Sequence, residues 1–291
     1  MKKILTALLL IAASTSYAQD FATSFKSTEV VPGIYMVEGV NGFGGGNMCL
    51  LIGEDYVAMI DDGFAPLAPT LLAHVTETAG RSINFMINTH VHGDHVGGNA
   101  HFAEQGTVVF AHENIRKRLL QNSDPAGGDS GLPVVTFGEG VTFHLNGLEA
   151  QVFHIPRAHT DGDAAIYFPG VNVIHAADVL FNNLFPYIDL DNGGTVDGFI
   201  AGQQKLISLA DDETKIIPGH GPLATKADLQ RNLLVLTDSQ ARVKLLVDQG
   251  RTIEEILEAN PLSVYHEDYN WRFISTERMT RTLYRSLTTE D

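Results

Sequence analysis

The sequence predicts an α/β protein in which two β-sheets lie face to face between outer layers of helices, a four-layer αββα sandwich. Three observations predict it. Strand-like and helix-like runs alternate in both halves of the 291-residue chain, 44% of the residues are hydrophobic against 19% charged, and no repeat, low-complexity tract or linker divides the chain. That is enough apolar material for one large core, and sheets with a single apolar face need helices to cover them.

The elements follow in order. Residues 33–38 and 48–52 have strand composition, and the second run passes through the turn Gly53, Glu54, Asp55 into another over 56–60. Over 66–78, Leu67, Leu71, Leu72 and Val75 recur at helical spacing and Gly80 supplies the stop. Residues 83–88 form a strand, 107–111 another, and 113–121 a helix. The glycine-rich stretch 126–132 reads as a surface connection or a mobile loop. From 134 to 180 short β-like runs dominate, broken by Gly138 and Gly140, by Asn146 and Gly147, and by Pro169 and Gly170, which predicts the second sheet. Residues 196–209 are amphipathic and helical, 215–217 a short strand, and 227–257 two helices broken near Gly250.

At the N-terminus Lys2 and Lys3 precede an apolar run from Ile4 to Ala13, and the small-residue stretch Ser14 to Ala18 follows. This pattern predicts a cleaved signal peptide over 1–18 and a periplasmic or secreted mature domain over 19–291. The run is shorter than the roughly 20 apolar residues a membrane span needs, and no later run is longer, so stable membrane insertion is not expected. With Cys49 as the single cysteine, no intramolecular disulfide forms, and its apolar neighbours mark it as a small buried hydrophobe. The formal charge of −16 becomes about −18 once Lys2 and Lys3 leave, since no acid precedes residue 19. Such a surface repels polyanions and disfavours nucleic acid, leaving a small-molecule substrate.

The chemistry concentrates at Thr89, His90, Val91, His92, Gly93, Asp94, His95, directly after the predicted strand 83–88. Side chains two apart in an extended segment leave the same side, so His90 and His92 can grip one ion. Asp94 and His95, beyond the Gly93 that lets the loop turn, can then be aimed at a second. Imidazole and carboxylate are the nitrogen and oxygen donors zinc accepts. Four residues cannot close two sites, so further ligands are expected where other loops leave β-runs: His159, Asp178 and His220 stand there. His74, His101, His112, His144, His154, His175 and His266 read as structural or surface residues.

The run His90 to His95 followed by His159, Asp178 and His220 resembles the metallo-β-lactamase superfamily of metal-dependent hydrolases, and the segment Ile60, Asp61, Asp62, Gly63 resembles the family's opening. The resemblance implies the metallo-β-lactamase fold and two Zn(2+) per chain. His90, His92 and His159 would hold the first ion, and Asp94, His95 and His220 the second, with Asp178 bridging. It also implies an acid at Asp62 that orients a ligand imidazole. A hydroxide shared by ions about 3.5 to 4 Å apart would attack a carbonyl-type bond of a lactone, ester or β-lactam amide, with Asp94 as the catalytic proton carrier. Ser130 and Ser208 lack the context of a nucleophilic serine. Around the site, Phe43, Phe181, Phe185 and Tyr187 are candidate pocket residues, Tyr187 also as a donor to a substrate carbonyl. The bridging Asp departs from the β-lactamases proper, whereas export suits them. A mononuclear iron dioxygenase acting on sulfur compounds is the alternative of a different class.

Overall fold

An N-terminal meander starts the first sheet in the computed structural model, which describes residues 21–121 and 128–289. Strands β1 (Ser24–Val31), β2 (Ile34–Val40), β3 (Met48–Ile52) and β4 (Val57–Ile60) pair antiparallel in sequence order. Helix α1 (Ala68–Ala79) then crosses over, so β5 (Phe85–Asn88) joins β4 in parallel. Short helices α2 (Gly93–Val96) and α3 (Asn99–Ala103) lead to β6 (Val108–His112), α4 (Glu113–Leu119) and β7 (Val135–Phe137), which complete a seven-stranded sheet. Residues 1–18, expected to be a signal peptide, and residues 126–127 of the glycine-rich stretch lie outside the described residues.

The second sheet holds β8 (Gly140–Leu145), β9 (Leu148–His154), β10 (Ala164–Phe168), β11 (Val173–Phe181) and β12 (Lys215–His220), in the order β12-β11-β10-β9-β8. All neighbours are antiparallel except β11 and β12, whose parallel pairing needs the crossover α5 (Val196–Leu209). Helices α6 (Lys226–Asp248), α7 (Ile253–Ala259), α8 (His266–Tyr269) and α9 (Thr276–Thr288) finish the chain.

Strand alternation builds the layers. On β3, Cys49 and Leu51 face the second sheet and pack with Phe143, Ala150, Ile166 and Ile217, while Met48 and Leu50 face outward against Leu71, Val75 and Phe102 of α1 and α3. The outer face of the second sheet, with Ile174 and Ala176, is covered by Leu206, Val243, Met279 and Leu283 from α5, α6 and α9. Each large apolar side chain so buried contributes about 1.5 to 3 kcal/mol relative to exposure. The four-layer sandwich expected from the sequence is the observed one. The short helices α2, α3 and α8 were not expected, and neither were two longer elements. β1 buries only Phe25 and Val30 of its eight residues, so it lacks an apolar face to read, and α9 lies beyond the last predicted helix.

Candidate metal centre

The expected ligands come from four places along the chain and meet at one edge of the sandwich. Residues 89–92 leave the end of β5, and His92 is the extended residue that starts α2. Asp94 and His95 therefore sit on the first turn of a helix rather than in a plain loop. Gly93 is not what turns the chain there: its φ is not positive and a Cβ on it would meet nothing. His159 follows β9, and His220 is the last residue of β12. Asp178 lies inside β11 instead of beyond a strand end. Ala177 takes φ 47° and the β11–β12 register shifts beside it, a bulge that aims Asp178 at the histidines.

Three overlapping triads have their ligand atoms within 4.8 Å of one another: His90, His92 and His159; His90, His95 and Asp178; and Asp94, His95 and His220. Asp178 stands between them. Its Oδ1 is 3.2 Å from His95 Nε2, and its Oδ2 is 3.4 Å from both His159 Nε2 and His220 Nε2 and 3.7 Å from His90 Nε2. Asp94 Oδ2 is 3.5 Å from His220 Nε2 and 3.6 Å from His95 Nε2.

Outward hydrogen bonds fix which ring nitrogen of each imidazole is bare. Thr89 Oγ1 gives its proton to Asp61 Oδ2 at 2.7 Å, so at 3.1 Å it accepts from His90 Nδ1. His95 Nδ1 donates to Asp61 Oδ2 at 2.7 Å, His159 Nδ1 to the Tyr187 carbonyl at 2.7 Å, and His92 Nε2 to Asp189 Oδ2 at 2.8 Å. Nε2 of His90, His95 and His159 and Nδ1 of His92 are left as lone pairs turned inward. Buried His90 Nε2, His95 Nε2 and Asp178 Oδ1 have no hydrogen-bond partner, and His92 Nδ1 and His159 Nε2 face each other at 2.8 Å. Lone pairs gathered on buried atoms are costly unless a cation takes them, so this donor set fits divalent metal.

The electrostatics treat the rings differently. Burial holds His90 well below the usual imidazole range and brings His159 down to about 4, the neutral form a ligand needs. Burial opposes charge on His95 too, but Asp178, Asp94 and Asp61 outweigh it and raise its pKa. Asp178 is likewise pushed up by burial, yet His220, His95, His90 and His159 hold it well below the ordinary carboxylate range. His220 is positioned by stacking, its ring 5.8 Å from Phe43 and 5.0 Å from Phe181. Two glycines make room: a Cβ on Gly46 would lie 2.2 Å from the His95 ring, and one on Gly219 would lie 2.0 Å from Asp178 Oδ1.

The acid expected to steady an imidazole is corrected by one residue. Asp62 takes the Gly98 N–H on Oδ1 at 2.8 Å, and its Oδ2 has no partner. It touches no ligand imidazole. Asp61 does that work: at φ 61° the chain turns there and sends its carboxylate to Thr89 and His95. Asp189, which holds His92, was also not foreseen, because the contact joins residues 97 apart in sequence.

A cavity of about 670 Å³ opens over the cluster and exposes His92, Asp94, Asp178 and His220 to its interior. Phe43, Phe64, Phe181, Tyr187, Trp271 and Phe273 also line it. Of the aromatic residues expected there, Phe43, Phe181 and Tyr187 line it, whereas Phe185 is buried in the helix-side core.

Residues 41–220 match the profile of the metallo-β-lactamase superfamily, a span that includes every one of these ligands. The chain belongs to the metallo-β-lactamase superfamily. A metallo-β-lactamase from Pontibacter korlensis superposes with a TM-score of 0.64 over 74% of this chain and all of that one, at 19% identity, which speaks to the superfamily fold alone. In sequence, the chain is 27% identical over 142 residues to the 2,4-dinitroanisole O-demethylase subunit alpha of a Nocardioides strain, covering 48% of this chain and 41% of that protein. It is 30% identical over 149 residues to the hydroxyacylglutathione hydrolase of Rhizobium meliloti, half of each chain. The chain thus spans half or less of the curated relatives' lengths. Superfamily members among these relatives include hydrolases.

Proposed function

We propose that this protein is a dinuclear zinc hydrolase of small molecules, opening a carbonyl-type bond such as that of a lactone, ester or β-lactam amide. The observation that carries this reading is the set of four imidazoles whose outward nitrogens are all committed and whose inward nitrogens are bare. His90, His92 and His159 would hold one ion, Asp94, His95 and His220 the other, and Asp178 reaches both groups. When bound, such a pair supplies a water acidified to near-neutral pKa and a Lewis acid for the substrate oxygen.

The chain's own residues do the rest. Asp94, 18% exposed on the cavity side, takes the proton of the attacking water and returns it to the leaving group. Asp61, Asp189 and the Tyr187 carbonyl fix the imidazole rings, so little reorganisation accompanies reaction. The aromatic walls seat an apolar substrate body and exclude water. The Tyr187 hydroxyl is proposed as a donor to the substrate carbonyl.

The lysine-led apolar leader supports action in the periplasm or outside the cell, where β-lactams are met. A bridging Asp supports lactone or ester hydrolysis over the β-lactamase reaction proper. Metal analysis of the purified protein alongside a panel of lactones, chromogenic cephalosporins, thioesters and aryl esters tests the proposal. Two zinc per chain with turnover of at least one of these is the expected result. One iron per chain with oxygen consumption would replace it with the dioxygenase reading.

A further inference from the structure

We infer that the segment Trp271–Phe273 is the specificity wall of this enzyme and that Arg272 selects substrates joining an apolar, aromatic-sized body to an anionic group; this rests on the hydrolase reading above. The segment lies beyond residues 41–220, the region the superfamily profile covers.

The wall is fixed in place. Trp271 Nε1 donates to the Phe185 carbonyl at 2.9 Å, and the Phe185 N–H donates to the Tyr269 carbonyl at 2.9 Å. Ile274, 1% exposed, anchors the segment in the core, and Thr276 N–H donates to Asn270 Oδ1. Trp271 stands 6.0 Å from the His220 ring and 5.7 Å from Phe273, so the metal cluster, Trp271 and Phe273 follow one another outward along the cavity.

Arg272 lines the same cavity, is exposed, and has no ion pair or hydrogen bond among the described residues. Its neighbour in space differs: Arg278 is spent on the Phe273 carbonyl at 2.8 Å and on the rings of Phe273 and Tyr187. In a chain carrying 35 acids against 19 basic residues, Arg272 sets an unpaired guanidinium beside the aromatic rings of a cavity whose other charged lining residues are Asp94, Asp178 and Asp189. A guanidinium there donates to the oxygens of a carboxylate or sulfonate on the substrate while the aromatic rings hold the adjoining apolar part. Phe273, 46% exposed, keeps a stacking surface beside it.

The test uses the metal-loaded full chain and three aryl esters sharing one acyl group, the aryl ring carrying hydrogen, a sulfonate or a trimethylammonium. Wild type is expected to favour the sulfonate over the neutral ester by about fivefold in kcat/KM, chiefly through KM, and to disfavour the cation, the scale of one exposed ion pair. In Arg272→Gln the sulfonate-to-neutral ratio falls to about one, and 0.5 M salt lowers it in wild type. Trp271, the only tryptophan of the chain, gives a readout that needs no turnover: quenching by naphthalene sulfonate and by naphthalene itself, titrated in both proteins. Equal affinity of wild type for the two naphthalenes, or a sulfonate preference that survives in Arg272→Gln, overturns the inference. Absence of turnover of these esters and of every other member of the panel above overturns the hydrolase reading instead, and the fluorescence titration still decides this one.

Discussion

His92 gives its Nε2 proton to Asp189 Oδ2 across 2.8 Å, and the neighbouring Tyr187 carbonyl takes the proton of His159 Nδ1, so one three-residue stretch orients two imidazoles of the same triad. Asp189 is saturated in doing so. Its Oδ1 accepts the N–H groups of Asp191 and Asn192 and its Oδ2 accepts Asn192 Nδ2 besides His92, and these donors hold its pKa low although burial pushes it up. Asp189→Asn places an NH2 where only acceptors fit. The imidazole then loses its anchor, and metal affinity should fall by about 10- to 100-fold while the fold persists. Chelator competition on wild type and variant measures it. Unchanged affinity would show that His92 needs no such support.

Adjacent acids should behave oppositely. Asp61 is fully buried and accepts from Thr89 N–H, Thr89 Oγ1 and His95 Nδ1, so in Asp61→Asn an amide donor meets donors. A loss of about 1 to 3 kcal/mol in stability is expected, with weaker metal retention. Burial pushes the pKa of Asp62 up, and its carboxyl accepts a single bond, from the Gly98 N–H, which an amide oxygen accepts equally well. Asp62→Asn should therefore cost less than about 1 kcal/mol. Denaturant melts of both variants with metal bound check the order, and a larger loss at Asp62 would reverse the assignment.

That pair also marks how far sequence reading reaches. The layers were legible because β3, β4, β5, β10 and β11 carry dense apolar runs and the helix over 196–209 has a clean period, all local signals. The ligands were legible because histidines and aspartates crowd beside those strands. What was not legible depends on φ and on distance in sequence. Nothing in the dipeptide Asp61, Asp62 says which carboxylate turns inward until the positive φ at Asp61 is known. Likewise Asp189, Trp271 and Arg272 reach the cavity only through tertiary packing of segments that carry no periodic signal.

Acid should destabilise the protein through a pair outside the metal centre. His112 and His154 stack at 3.9 Å and 9°, and burial first, then the partner ring, lowers His112 to about 4, while burial lowers His154 as well. His112 Nδ1 also accepts the Asn114 N–H that caps α4, which a protonated ring cannot do. A histidine whose folded pKa lies below its unfolded value binds more protons when unfolded. Its contribution is therefore intact above about pH 6.5 and is lost as pH falls from there toward 4. His112→Asn keeps a capping acceptor and removes the titration, so its stability should decline less than that of wild type across this window. Parallel slopes in chemical denaturation from pH 7 to 4.5 would exclude the pair as the acid-sensitive element.

The two ends of the ligand run should separate metal loss from proton handling. His92 supplies an inward nitrogen to the His90, His92 and His159 triad only, whereas Asp94 belongs to the triad with His95 and His220 and faces the cavity with 18% of its side chain exposed. His92→Ala is expected to lose the ion of the first triad and with it hydrolysis. Asp94→Asn keeps an oxygen near His220 and His95 but no basic one, so it should retain about one ion per chain while kcat falls by about 10²-fold or more. Neither change removes a large apolar side chain, so soluble yield should stay close to wild type. Metal stoichiometry and kcat measured on the same preparations distinguish the two effects. Retention of hydrolysis in both variants would mean that neither the triad of His92 nor the carboxylate of Asp94 takes part in the reaction.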